Sequence, residues 1–193
     1  VPAAPVDVAA LPGLLSSPEE IGELLGNITM EPSAIEKAPA EGLSVTPAHC
    51  ADAVAPMTEA AYSGSGYSGL AGQALNAAPT ARVIQGVASF VDAEFAKFFY
   101  DIQLTLWRGC QDTDVTVAYS GDDKTDHVHL GAVAESAGIA NILILPSAAT
   151  TNRQCQHALT VRNNVVVDVR VCKPNLDDAG VELARSIAER VPG

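Results

Sequence analysis

Residues 153–173 constrain the fold of this chain more than any other stretch. They read Arg-Gln-Cys-Gln-His-Ala-Leu-Thr-Val-Arg-Asn-Asn-Val-Val-Val-Asp-Val-Arg-Val-Cys-Lys, two strands around Asn163-Asn164. Asn tolerates positive φ, so it suits both central positions of a tight type I′ turn. The strand after the turn, 165–171, is mostly β-branched and fits a pleated surface. A two-residue turn here pairs Arg162 with Val165 and, stepping outward, Cys155 with Cys172. Pair types alternate from the hydrogen-bonded Arg162–Val165 pair, which puts the cysteines on a non-hydrogen-bonded pair. Such Cα atoms stand about 4.5 Å apart, at the near end of what a disulfide spans. A Cys155–Cys172 disulfide is therefore expected.

The four cysteines include no CxxC, and their spacings fit no compact zinc pattern. An even count with one geometrically sound pair points to an oxidising compartment. With 155 joined to 172, Cys50–Cys110 follows by exclusion. In the chain-entropy view the two closures contribute about 3 and 4 kcal/mol. The hairpin value is an upper figure, because local structure persists in the unfolded chain.

At 193 residues and 48% hydrophobic content the chain is globular and long enough for one sizeable core. Its net charge of −12 argues against nucleic acid and against a generic anionic membrane surface. No apolar run approaches the roughly 20 residues of a membrane span; residues 139–146 are too short and read as a buried strand. The opening Val-Pro-Ala-Ala-Pro reads as a linker. Residues 1–13 are expected to be an extended linker following an export signal or membrane tether, and 14–193 a single domain.

Within that domain Ser17-Pro18-Glu19-Glu20 is a capping box, with Pro18 at the first helical position. The helix it starts carries Ile21, Leu24 and Leu25 inward and stops at Gly26-Asn27. A strand-like piece near 28–31 and a loop over 32–46 follow. A short helix from Thr46-Pro47 carries His49 and Cys50, and a further turn runs to Ala61. The glycine-rich stretch 62–72 turns into a strand over 67–75, which forms a hairpin with 81–90. Asp92 caps a helix over 93–107, in which Phe95, Phe98, Phe99, Ile102 and Leu106 repeat at helical spacing and predict the buried face. Strands over 114–119, 126–135 and 139–145 precede a polar loop at 147–153 and the hairpin. An amphipathic helix over 176–191 closes the chain. Short links between strands favour an antiparallel sheet with packed helices, an α+β fold.

Candidate chemistry is sparse. His127 and His129 share one strand face, but two histidines are a poor metal site and a solvated face accounts for them, so no metal and no cofactor are expected. His157, Asp168 and Arg170 project from one hairpin face, with His157 opposite Arg170 and Asp168 diagonal to it. They suit an acid/base or anion-contacting cluster or, more simply, a cross-strand charge pair steadying a half-exposed face. Trp107 with Tyr62, Tyr67 and Tyr119 suits the wall of an apolar pocket. Gly66-Tyr-Ser-Gly-Leu lacks the second glycine of a nucleophile elbow, and no phosphate loop or kinase signature is present.

The hairpin with its cysteines, the Trp107-Arg-Gly-Cys110 helix end, the Leu-Leu-Ser-Ser-Pro-Glu-Glu-Ile start and Cys50 together resemble the PknH-type sensor domain family. Its members are mycobacterial extracytoplasmic domains, found as ectodomains of transmembrane Ser/Thr receptor kinases and as free-standing lipoproteins. The resemblance covers about residues 14–191. It implies an antiparallel sheet with packed helices, the same two disulfides, and a cleft for an unidentified ligand; it supplies no catalytic residues. The expected function is an extracytoplasmic, envelope-associated ligand-binding sensor, with Tyr62, Tyr67, Trp107, Tyr119, His157, Asp168 and Arg170 as ligand candidates. The alternative is an envelope lipoprotein with a structural, lipid-binding or hydrolytic role. Expected partners are a small molecule or envelope component and a second copy of the chain, with the membrane touched only through a tether.

Overall fold

The computed structural model describes residues 2–147 and 153–193. Nine antiparallel strands form one sheet in the order β1-β3-β4-β9-β8-β7-β6-β5-β2. The strands are β1 (Glu31–Pro32), β2 (Leu43–Thr46), β3 (Gly69–Ala77), β4 (Ala81–Ser89), β5 (Thr113–Tyr119), β6 (Thr125–Ser136), β7 (Ile139–Pro146), β8 (Arg153–Arg162) and β9 (Val165–Pro174). The helices are α1 (Pro18–Leu24), α2 (Ala51–Val54), α3 (Glu59–Tyr62), α4 (Ala93–Arg108) and α5 (Ala179–Glu189). The α+β class and the single antiparallel sheet expected from the sequence are what the chain adopts.

The hairpin β8–β9 lies at the centre of the sheet in the register read from its turn. Arg162 pairs with Val165, His157 with Arg170 and Cys155 with Cys172. Disulfides join Cys155 to Cys172, with Cα atoms 4.0 Å apart, and Cys50 to Cys110. Strand β9 is buried on both faces. Val165, Val167, Val169 and Val171 point into one core, with Leu11, Ile21, Leu75, Leu183 and Ile187. Val166 points into the other, with Tyr62, Phe99, Leu104 and Trp107. Helices therefore cover both faces. Gln156 on β8 caps α5, accepting from the N–H groups of Gly180 and Val181 at 2.8 and 3.2 Å. A Cβ on Gly180 would come within 2.8 Å of the Gln156 carbonyl, so only glycine lets the helix start this close to the sheet.

The sheet is strongly curled. Residues 33–42 run from β1 at one edge to β2 at the other. A flat nine-stranded sheet is roughly 38 Å wide at about 4.8 Å per spacing, which is the fully stretched reach of that connection. Yet the connection is not stretched: it pauses to bridge Glu36 to Gly72 and Ala40 to Thr58. The edges must therefore approach each other. A register shift between Leu130 and Val133 of β6 supplies part of the bend, as bulges do.

Several expectations need correction. Residues 1–13 are not an extended linker throughout. Val8–Leu14 form a 3-10 helix whose Leu11 is fully buried under the sheet, and Val6 is held by the Asn164 side chain, donating to Oδ1 at 2.7 Å and accepting from Nδ2 at 3.1 Å. The loop expected over 32–46 contains the edge strand β2. In α1 the capping box is present, but Leu24 is exposed while Ile21 and Leu25 are buried. The largest departure is α4. It buries Ala96, Phe99, Tyr100, Gln103, Leu104 and Trp107, and leaves Phe95, Phe98, Ile102 and Leu106 exposed. Of the loop expected at 147–153, residues 148–152 lie outside the described residues.

Candidate functional site

Two polar constellations lie on the α4 side of the sheet. The deeper one centres on Asp168. Gly86 sits beside it on β4, and a Cβ there would meet Met57 Cγ at 2.4 Å, so the glycine admits Met57 to the sheet surface. Met57 has φ 57°, which points its N–H at Asp168 Oδ2, 3.0 Å away. The Tyr62 hydroxyl donates to the same oxygen at 2.8 Å. Asp168 Oδ1 is 2.6 Å from His157 Nε2, and His157 Nδ1 is 2.9 Å from the Ala53 carbonyl. Both ring nitrogens face oxygen acceptors, the Asp168 carboxylate and the Ala53 carbonyl. The Trp107 ring packs on the imidazole, with centroids 4.3 Å apart, and its Nε1–H donates to the Asp52 carbonyl at 3.2 Å.

This network is sealed. His157, Asp168, Tyr62 and Trp107 are all buried, which corrects the half-exposed face expected for the hairpin. Burial pushes the Tyr62 phenol well above its usual range, and the Asp168 carboxylate adds to the effect. Burial also raises Asp52; the Gln103 amide, 3.2 Å away, opposes this, the Asp168 charge adds to it and His157 offsets it. A His–Asp pair this deeply buried, with side-chain exposures of 1 and 6%, presents no open face to a substrate. Its work is to fasten the segment 47–62 to the sheet through Ala53, Met57 and Tyr62.

The shallower constellation faces outward. Arg170 lies next to His157 on the same face, and its Nη1 donates to the Val54 carbonyl at 3.1 Å. Its head also shares a cavity with Tyr119 on β5. Four strand spacings separate β9 from β5 in the sheet, about 19 Å if flat, beyond the reach of two side chains. The curl brings them together. A cavity of about 140 Å³ results, lined by Arg82, Arg153 and Arg170 with Tyr119, Asp126 and the Cys155–Cys172 disulfide. Burial lowers the Arg170 guanidinium from its usual range; Tyr119 opposes this, and the like charges of Arg82 and Arg153 reinforce it. Arg82 also borders a larger, mainly apolar recess of about 480 Å³ beside Pro39, Pro56, Met57 and Ile84.

Of the seven ligand candidates, the structure places Tyr119 and Arg170 in this cavity. Tyr62, Trp107, His157 and Asp168 belong to the sealed network, and Tyr67 packs edge-on against Tyr62. Arg82 and Arg153 escaped sequence reasoning. Arg82 stands opposite Cys172, and Arg153 lies two residues before Cys155, so both follow from the hairpin register once β4 is known to pair with β9. His129 Nδ1 lies 2.8 Å from the Asp114 carboxylate and His127 Nδ1 3.3 Å from the Thr116 hydroxyl, on an outer part of the sheet. His49 lies beside the sulfurs of Cys50 and Cys110, but both are committed to a disulfide and offer no thiolate to a metal.

A curled antiparallel sheet with helices on both faces, held by two disulfides, suits a domain of an oxidising, extracytoplasmic compartment, and similarity to known proteins makes the assignment specific. Residues 6–190 match the family model of the PknH-like extracellular domain, and the chain belongs to that family. It is 27% identical to the serine/threonine-protein kinase PknH of Mycobacterium tuberculosis (strain ATCC 25618 / H37Rv), over 98% of this chain and 30% of that protein. It is 24% identical to the serine/threonine-protein kinase PknJ of Mycobacterium bovis, over 95% of this chain and 32% of the kinase. The chain thus spans about a third of the length of these relatives. The crystal structure of the extracellular domain of PknH from Mycobacterium tuberculosis superposes with a TM-score of 0.91 at 25% identity, covering 97% of both chains.

Proposed function

We propose that this chain is the sensing portion of a receptor kinase and that its cleft takes a ligand with an acidic group. The observation that carries this is the convergence of Arg82, Arg153 and Arg170 on one cavity in a chain of net charge −12. Three guanidiniums and one carboxylate, Asp126, line that cavity, and guanidinium is the side chain suited to forked contact with carboxylate or phosphate. The apolar recess that shares Arg82 suits a ligand whose acidic end continues into a hydrocarbon body. Signalling further requires that the ligand bind two states of the receptor unequally. A hydrolytic role finds less support, because the His–Asp pair is closed to solvent.

Calorimetry with octyl phosphate, decanoate and inorganic phosphate tests the reading. Octyl phosphate is expected to bind more tightly than inorganic phosphate. Arg82→Ala is expected to weaken it about tenfold or more, the scale of one charged hydrogen bond, with folding unchanged. Failure of all three probes to bind, or equal binding by Arg82→Ala, rejects the acidic-ligand reading.

A further inference from the structure

Helix α4 has a second apolar face. Opposite the residues it buries, Val91, just before the helix, and Phe95, Phe98, Ile102 and Leu106 form a line spaced by three or four residues. They are exposed to 63, 56, 63, 41 and 39%. That spacing keeps them on one strip of helix surface. Taking about 200 Å² for a whole aromatic residue, the strip shows roughly 450 Å² of apolar surface to water. This is as large as the largest patch on a typical monomer, and such patches mark contact sites.

We propose that this strip is the interface of a symmetric dimer of this chain, in which two copies of α4 pack antiparallel across a two-fold axis. The strip is self-complementary when reversed. An axis near Tyr100 and Asp101 sets Phe95 against the second copy's Leu106 and Phe98 against the second copy's Ile102, so each aromatic meets an aliphatic. The flank follows the same symmetry. Glu94 lies at the start of the helix and Arg108 at its end, along one side of the strip. Reversal places each Glu94 beside the second copy's Arg108, on the same side of the seam. Arg108 is half-exposed, and among the described residues its one ion pair is a long 3.6 Å contact with Glu135 of its own chain, so it can share. Asp101 falls near the axis, where its charge is already matched by Lys97 one turn away.

The rim also argues against a lipid surface as the occupant. A helix lying on a membrane is rich in Lys and Arg along its polar face. Here Glu94 and Asp101 balance Lys97 and Arg108, on a chain of net charge −12. Two strips together bury about 900 Å², under the roughly 1,200 Å² of a standard stable complex, so the dimer is weak and reversible. Chains held on one surface would populate it far more than free ones.

Sedimentation velocity from micromolar to millimolar concentration, on the wild type and four variants, tests the proposal. The wild type is expected to pass from monomer to dimer. Phe98→Glu is expected to stay monomeric with an unchanged melting temperature, since the side chain it replaces is exposed. Glu94→Arg and Arg108→Glu alone are each expected to weaken the dimer severalfold, and the double swap in one chain to restore it. A wild type that is monomeric throughout, or a dimer that survives Phe98→Glu, overturns the proposal. So does a double swap no better than the singles. Binding to phosphatidylglycerol vesicles that Phe98→Glu abolishes, in a chain that stays monomeric, assigns the strip to lipid instead and equally overturns the dimer.

Discussion

Two substitutions at Asp168 separate its charge from its geometry. Asp168→Ala removes the acceptor of three buried donors, His157 Nε2, the Tyr62 hydroxyl and the Met57 N–H. Removing one partner of a buried ion pair costs about 3–5 kcal/mol. For a domain of this size each kcal/mol shifts the melting temperature by about 2–4 °C, so a fall of roughly 6–20 °C is expected. Asp168→Asn keeps the shape. Its amide oxygen, in the place of Oδ2, accepts from Tyr62 and Met57. Its NH₂, in the place of Oδ1, donates to Nε2 of a neutral imidazole whose Nδ1–H still serves the Ala53 carbonyl. Every bond survives with less charge assistance, while the burial of an ion pair is avoided, and the two effects partly cancel to about 0–2 kcal/mol. Trp107 is the only tryptophan and packs on His157, so its fluorescence reports the site directly during urea and thermal unfolding. An Asn variant as unstable as the Ala variant refutes the hydrogen-bond inventory. An Ala variant within about 1 kcal/mol of wild type refutes the claim that this residue fastens the 47–62 segment.

Asp52 has a folded-state affinity for protons raised by burial, so the folded chain binds more protons than the unfolded one above the carboxyl's usual range. Stability from this group is therefore present at low pH and lost as pH rises through its folded value. Asp52→Asn is expected to raise stability at pH 7 and to lose that advantage near pH 4, as read from paired melting curves. Gly86→Ala drives a methyl into Met57 and is expected to cost about 1–3 kcal/mol of overpacking, with the Tyr62–Asp168 contact loosened in spectrophotometric titration of the tyrosines.

The parts of this fold that were legible in the sequence are those where local chemistry admits one solution. The Asn163-Asn164 turn and the spacing of Cys155 and Cys172 agree on a single register, and the Ser17–Glu20 capping box starts a helix wherever it occurs. The rotation of α4 was not legible. Its most apolar stripe is Phe95, Phe98, Ile102 and Leu106, and periodicity selects that stripe for the core. The structure instead buries Trp107, Tyr100 and Gln103, because their polar ends find Asp52 and Glu135 from distant segments. No single-chain pattern encodes those partners. For the same reason Asp168 and Arg170 read as surface charges: the donors and carbonyls that satisfy them come from 53–62, about a hundred residues away. The cleft was half visible, since Arg170 and Tyr119 were candidates, but Arg82 joins them only through the pairing of β4 with β9 and the curl of the sheet.

The hairpin turn has a topological consequence. One amide nitrogen, Asn163 Nδ2, donates to the carbonyl of Ala4 at 2.7 Å and to that of Pro192 at 3.1 Å. Ala4 and Pro192 are thus tied to a single atom of the hairpin turn, and between them the backbone is in space almost a closed ring. A ring has no privileged starting point. A peptide bridge of a few residues between Pro192 and Ala4 would complete it, and the exposed 121–124 turn between β5 and β6 would serve as well for the new ends. A chain joined and reopened in this way would keep the same order of strands in the sheet with a different order along the sequence.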